Sequence, residues 1–177
     1  MSLRTAIRPL SRVSRPSILA ITSRRHLNLE SDPKLYSATA ISSGGRKGHV
    51  KGSDGLRLIL GVPKSLGGTP EEGKTTNPEE LFAAGLGSCF QSTMGLCASD
   101  LGLEFSERPE DNIVETKVTM AGGIKKRDLG FQIEMLVRTR GLKQEELERL
   151  VEETRKVCPF SRSIDGNMNL DIKAEVM

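Results

Sequence analysis

Cys89 sits in FAAGLGSCFQSTM, residues 82–94, an uncharged run in which glycine, alanine and serine lead up to the thiol. Such surroundings suit an inert thiol packed in a core. They equally suit a thiol held in a narrow, water-poor pocket for redox chemistry, where the thiolate is the nucleophile and its pKa sets its reactivity. Placed in mid-helix, Cys89 has no helix N-terminus to lower its pKa, so a reactive thiolate needs a cation brought from elsewhere. Arg46, in SSGGRKGH, is the candidate, because the flanking glycines allow a tight turn to aim one guanidinium. The competing reading of Arg46 is a plain charge at a hairpin tip.

The other cysteines narrow the chemistry. Cys97 lies eight residues beyond Cys89, roughly 12 Å along one helix. A disulfide needs Cα atoms within about 7 Å, so any intrachain bond must involve Cys158, in VCPF, and Cys97 reads as a small core residue. There is no CxxC, and the only histidines are His26 and His49. That supplies neither a zinc site nor a Cys-His-Asn nucleophile system, and no cofactor is expected. An odd cysteine count also argues against a disulfide scaffold.

The elements that must hold these residues can be read from periodicity and punctuation. Gly-rich turns, SSGGRKG and GSDG, separate short strand-like runs, with Leu56, Leu58 and Leu60 alternating. TNPEELFAAG starts a helix. Asn77 caps it, Pro78 takes the first position, and Glu80 stands where a capping box places its acid. This helix should run to about Leu101 and end at Gly102. Gly85, Gly87, Ser88 and Gly95 cost it propensity but let another backbone approach. NIVETKVTM and GFQIEMLVRT predict a hairpin. LKQEELERLVEETRKV predicts an amphipathic helix with Leu142, Leu147, Leu150, Val151 and Val157 on its apolar stripe, stopped by Pro159. NMNLDIKAEV predicts a last strand with Met168, Leu170, Ile172, Ala174 and Val176 inward. The order βββ-α-ββ-α-β implies an α+β domain of antiparallel sheets around a central small-residue helix.

The chain of 177 residues suits one such domain plus an appendage. Arg4, Arg8, Arg12, Arg15, Arg24 and Arg25 precede the first acid, Glu30. Of 26 Lys and Arg, those six leave 20 against 23 Asp and Glu, so the body is mildly acidic and carries no nucleic-acid signature. A segment rich in Arg and Ser and poor in acids has the composition of a mitochondrial transit peptide. Residues 1–30 are therefore expected to be a presequence and 31–177 the domain, addressed to the mitochondrial matrix. No apolar run is expected to span a membrane.

TNPEELFAAGLGSCF, the upstream GGRKG, the LGG before the helix and the late VCPFS…GN together resemble the organic hydroperoxide resistance proteins of the OsmC/Ohr superfamily, over residues 34–177. The resemblance implies an OsmC-like fold and a thiol peroxidase acting on organic hydroperoxides. It implies that Cys89 is the peroxidatic and Cys158 the resolving cysteine. It further implies that Arg46 steadies the Cys89 thiolate and that Glu79 orients Arg46. Phe82, Leu86 and Phe90 are expected as apolar walls for an alkyl chain. The implied reductant is an external dithiol carried by lipoylated proteins. Phe160 and Asp165 depart from the family, which tends to Tyr and Arg there. Glu79 lies ten residues, about 15 Å, from Cys89 on a continuous helix. An interlocked homodimer is therefore expected, in which Arg46 and Glu79 of one subunit serve Cys89 of the other. A thiol-dependent hydrolase without need of Cys158, or a redox-sensing module without turnover, are the alternatives.

Overall fold

The computed structural model describes residues 31–177. Every element below lies in one compact unit, Ala38–Met177. The expected presequence, residues 1–30, lies outside the described residues.

Strands β1 (Ala40–Ser43), β2 (His49–Gly52) and β3 (Arg57–Leu60) form an antiparallel meander. GGRKG makes the turn from β1 to β2. Gly44 and Gly45 adopt φ values of 77° and 55°, and a single 3-10 turn follows over Gly45–Lys47. A Cβ at Gly48 would stand 1.6 Å from the Ser43 carbonyl oxygen, so the turn that presents Arg46 closes only with glycine there. A two-residue strand, β4 (Thr75–Thr76), adds to β3 in parallel and leads into the first helix.

Helix α1 (Pro78–Asp100) begins as its punctuation predicts, with the Asn77 side chain accepting from the Glu80 amide at 2.9 Å. The capping box is only half formed. The Glu80 carboxylate instead accepts from the Thr76 hydroxyl at 2.6 Å, a partner that β4 brings within reach. Gly102, at φ 66°, follows the last turn. At 23 residues α1 is long and apolar enough, by length and composition, to cross a bilayer, which corrects the expectation that no such run exists. Its apolarity comes from Ala, Gly and Cys interspersed with larger residues, and one face of it packs on β5, α2 and α3 described below. Leu86, Phe90, Met94, Cys97 and Ala98 of α1 are buried in the core.

The small residues of α1 do not all act alike. A Cβ on Gly87 would lie 2.8 Å from Thr116 Oγ1, and one on Gly85 would lie 3.1 Å from the Phe160 ring. Gly95, expected to admit a neighbour, faces open space in this chain.

Strands β5 (Asn112–Gly123) and β6 (Asp128–Thr139) form a long antiparallel hairpin, extending beyond the predicted runs to a tip at Ile124–Lys126. Ile133, Met135 and Val137 of β6 point into the core, opposite Val118, Thr116 and Val114. Helix α2 (Gln144–Val157) buries Leu147, Leu150, Val151 and Thr154. Val157, expected on its apolar stripe, is half exposed, because it is the final residue before the chain bends at Cys158. Pro159 does not stop helical structure either. It takes the first position of a short helix, α3 (Pro159–Ile164), where its missing N–H costs nothing.

Because α2 and α3 carry the chain across the sheet, the last strand β7 (Asn169–Val176) returns parallel to β6. The expected antiparallel pairings are present, and parallel ones stand beside them. Each sheet, β1-β2-β3-β4 and β5-β6-β7, combines antiparallel pairs with one parallel pair. On β7, Leu170 is buried and Ile172 and Ala174 pack against the core, whereas Val176, expected inward, is exposed at the strand's end. The class is α+β, as expected.

Candidate active site

The fold gathers the predicted chemistry into two groups. The first is the pair of thiols. Cys89, on α1, and Cys158, at the α2–α3 junction, are 69 residues apart in sequence, and their sulfurs stand 3.5 Å apart. Both are reduced. Cys158 has no exposed surface, while Cys89 is partly exposed. Cys97 is buried in the core beneath the same helix, the role its spacing suggested.

Local structure fixes each sulfur. Thr93, one turn beyond Cys89, donates from its hydroxyl to the Cys89 carbonyl at 2.8 Å. Cys158 is the residue that caps α3 while its own amide donates to the Thr154 carbonyl at 2.8 Å, so it is held from both helices. Burial pushes the Cys89 thiol up. The Phe160 amide and the Thr93 hydroxyl oppose that rise, and the adjacent Cys158 adds to it. Burial acts on Cys158 in the same sense, but the amides of Ser161 and Phe160, the Ser161 hydroxyl and the Cys89 thiol outweigh it and hold Cys158 below its ordinary value. Within one chain these surroundings favour the thiolate on Cys158 over that on Cys89.

The second group is Arg46 and Glu79. The Arg46 guanidinium makes a two-pronged contact with the Glu79 carboxylate, Nη1 to Oε2 at 2.8 Å and Nη2 to Oε1. The Gly44–Gly48 turn presents the arginine, and the first turn of α1 presents the acid. The hydrogen bonds from Arg46 hold the Glu79 carboxyl below its usual range against the opposing effect of burial. The same bonds raise Arg46.

Among the described residues no hydrogen bond or ion pair joins the arginine pair to the thiol pair. Since α1 is unbroken from Glu79 to Cys89, ten residues separate them by about 15 Å along its axis. The structure therefore brings the four predicted residues together as two pairs.

The expected apolar walls divide differently. Phe82 is partly buried and stacks on Phe131, ring centroids 6.0 Å apart. Leu86 and Phe90 have no exposed surface and belong to the core. In the single chain they present no surface to solvent. They point inward because the stripe of α1 that packs on β5 and α2 repeats at the spacing a cleft lining would use. Phe160, half exposed over Gly85, is the apolar residue beside the thiols that the sequence reading passed over. Ser161 was passed over too. Its signal was the spacing C-P-x-S, which repeats the N-P-x-E start of α1, with a cap, a proline and a third-position residue. Among the described residues no group of three or more His, Cys, Asp or Glu is placed to hold a metal ion.

The OsmC-like protein family model matches residues 71–173. The organic hydroperoxide resistance protein OhrA of Bacillus subtilis is 36% identical over 146 residues, 78% of this chain and 95% of that protein. The organic hydroperoxide resistance protein of Xanthomonas axonopodis pv. citri is 34% identical over 142 residues, 78% of this chain and 93% of its own. Among solved structures, an organic hydroperoxide resistance protein OsmC from Legionella pneumophila superposes with a TM-score of 0.67 at 37% identity, covering 81% of this chain and 100% of that one. The corresponding protein from Elizabethkingia anophelis gives 0.71 at 33% identity, with 81% and 99% covered. A family model spanning more than half its length, and relatives above 30% identity matched over nearly all of theirs, make this chain a member of the OsmC/Ohr family.

Proposed function

We propose that the protein is a Cys-based, dithiol-dependent peroxidase that reduces organic hydroperoxides to alcohols. The observation that carries the reading is the 3.5 Å approach of the Cys89 and Cys158 sulfurs from separate elements. The names of its relatives point to the same substrate class. In the first step the Cys89 thiolate attacks a peroxide oxygen. A new S–O bond forms, the O–O bond breaks, and the departing alkoxide takes a proton to leave as alcohol. Cys89 is then a sulfenic acid, and Cys158 condenses with it to a disulfide before further oxidation. A dithiol reduces that disulfide and returns two thiols.

The first step needs a cation beside Cys89, since burial alone works against its thiolate. We assign that cation to the partner subunit's Arg46, held by the partner subunit's Glu79, in an interlocked homodimer. Ile41 and Ile59 on the first sheet are mostly exposed in the single chain, which suits a sheet completed by another copy. Phe82, Phe131 and Phe160 supply an apolar approach fitted to alkyl chains better than to hydrogen peroxide. Protein-bound lipoyl groups are the proposed reductant and the mitochondrial matrix the proposed location. Faster recycling by a lipoylated protein than by thioredoxin or glutathione, and import of the full chain into isolated mitochondria, would test those two points.

The reading is tested by hydroperoxide consumption with a dithiol present. Wild type should prefer an organic hydroperoxide to hydrogen peroxide, and Cys89→Ser should be inert. Cys158→Ser should consume about one equivalent and then stall. Undiminished turnover of that variant on an electrophilic carbonyl substrate would point to a hydrolase. One-equivalent oxidation of wild type without turnover would leave only a redox sensor.

A further inference from the structure

Ser161 is 3% exposed, and its hydroxyl makes no hydrogen bond. A buried hydroxyl left unpaired costs about 1–3 kcal/mol, so its retention here asks for a reason. Its place in the fold supplies one. Cys158 caps α3, Pro159 and Phe160 follow, and Ser161 is the third helical residue, the position whose amide an N-cap side chain ordinarily receives. The chain is held in that turn by the Arg162 amide, which donates to the Cys158 carbonyl at 3.0 Å. The side chain of Cys158 makes no capping hydrogen bond, so the buried Ser161 hydroxyl lies one turn beyond this N-cap thiol with no partner of its own.

We propose that Ser161 is a positioning residue for the resolving thiol, its hydroxyl being the donor held ready for the negative charge that appears on Cys158 when it attacks. The proposal deepens the peroxidase reading and rests on it for the step concerned. In that step the Cys158 thiolate attacks the sulfur of the Cys89 sulfenic acid. The S–S bond forms, the S–O bond breaks, and the hydroxide released takes up the proton that Cys158 gave, leaving as water. A neutral thiol is a poor acceptor and leaves the hydroxyl unpaired, whereas a thiolate is a strong one. The donor is therefore paired only in the reactive state, and this favours that state.

The other groups bearing on Cys158 come from each helix around it. From α1 they are the thiols of Cys89 and Cys97, and the latter also feels Asp100 and Glu153. From the end of α2 the Thr154 carbonyl takes the Cys158 amide, and from α3 the Phe160 amide joins Ser161.

The test has two arms. In the first, reduced protein receives one equivalent of organic hydroperoxide, and disulfide formation is timed across a pH series. Ser161→Ala should slow it roughly tenfold at neutral pH, with the deficit shrinking as pH rises past the titration of Cys158. Ser161→Thr, which keeps the hydroxyl, should recover most of the rate. In the second arm, which uses no peroxide, the thiolate absorbance of Cys89→Ser is titrated with and without Ser161→Ala. The Cys158 inflection should move to higher pH when the hydroxyl is lost. An unmoved inflection, or a rate deficit of equal size at every pH, overturns the role of Ser161. A moved inflection in a protein that hydroperoxide does not oxidise would sink the peroxidase reading and leave the role of Ser161 standing. Removing an unpaired hydroxyl should leave the melting temperature unchanged or raised, so misfolding is not expected to cloud either arm.

Discussion

Glu79, paired with Arg46, enters the stability of the chain. Its carboxyl is lowered in the folded protein, chiefly by the Arg46 hydrogen bonds. A group whose folded pKa lies below its unfolded value contributes stability above the unfolded value, and that contribution is lost as pH falls through the folded one. Glu79→Gln should therefore lower unfolding free energy by roughly 1 kcal/mol at neutral pH, a modest figure because Arg46 is partly open to solvent. In denaturant titrations the gap from wild type should close as the solution is made acid. A gap that stays constant down to low pH would mean that the Arg46 pairing is not what holds Glu79. The same pair shows where sequence reading ends. That Glu79 would hold Arg46 was implied by their motifs, and its distance from its own chain's Cys89 followed from the helix rise, but the path of the Gly44–Gly48 turn that brings the two together was not legible.

At the scale of elements, α1 is legible where local rules decide and opaque where neighbours do. Asn77, Pro78 and Gly102 marked its ends, because capping and positive φ are settled within a few residues. Which of its glycines meets a neighbour could not be read, since that depends on the strand opposite. Gly87 does, with Thr116 Oγ1 2.8 Å from the position of an added Cβ, and Gly95 does not. Gly87→Ala should thus cost about 1–3 kcal/mol of overpacking, offset in part by about 1 kcal/mol of helix propensity, and lower the urea midpoint. A raised midpoint would show that β5 yields without strain. The direction of β7 was likewise out of reach. Pro159 reads as a stop at the end of one helix and as a start at the beginning of the next, and only the second reading turns the chain through α3 and returns β7 parallel to β6. The burial of Leu86 and Phe90 was out of reach for a related reason, because apolar residues one turn apart serve a cleft and a core alike until the packing partner is known.

For the whole molecule, the separation of the arginine pair from the thiol pair makes a claim about assembly. If the partner subunit's Arg46 serves Cys89, two defective chains can repair each other. A chain carrying Arg46→Ala keeps its thiols, and a chain carrying Cys89→Ser keeps its arginine. With equal mixing, half of the dimers are mixed and each holds one complete site, so co-refolded chains should recover about a quarter of wild-type activity. Chains that complete their own sites would recover none.

The most direct measurement is of the bond itself. Reduced protein should be treated with one equivalent of an organic hydroperoxide, blocked with an alkylating reagent, and mapped by mass spectrometry without reduction. The account predicts one linkage, Cys89 to Cys158, with Cys97 recovered in alkylated form and no linkage in Cys89→Ser. A bond through Cys97, or cysteines all left reduced while the hydroperoxide persists, would contradict it.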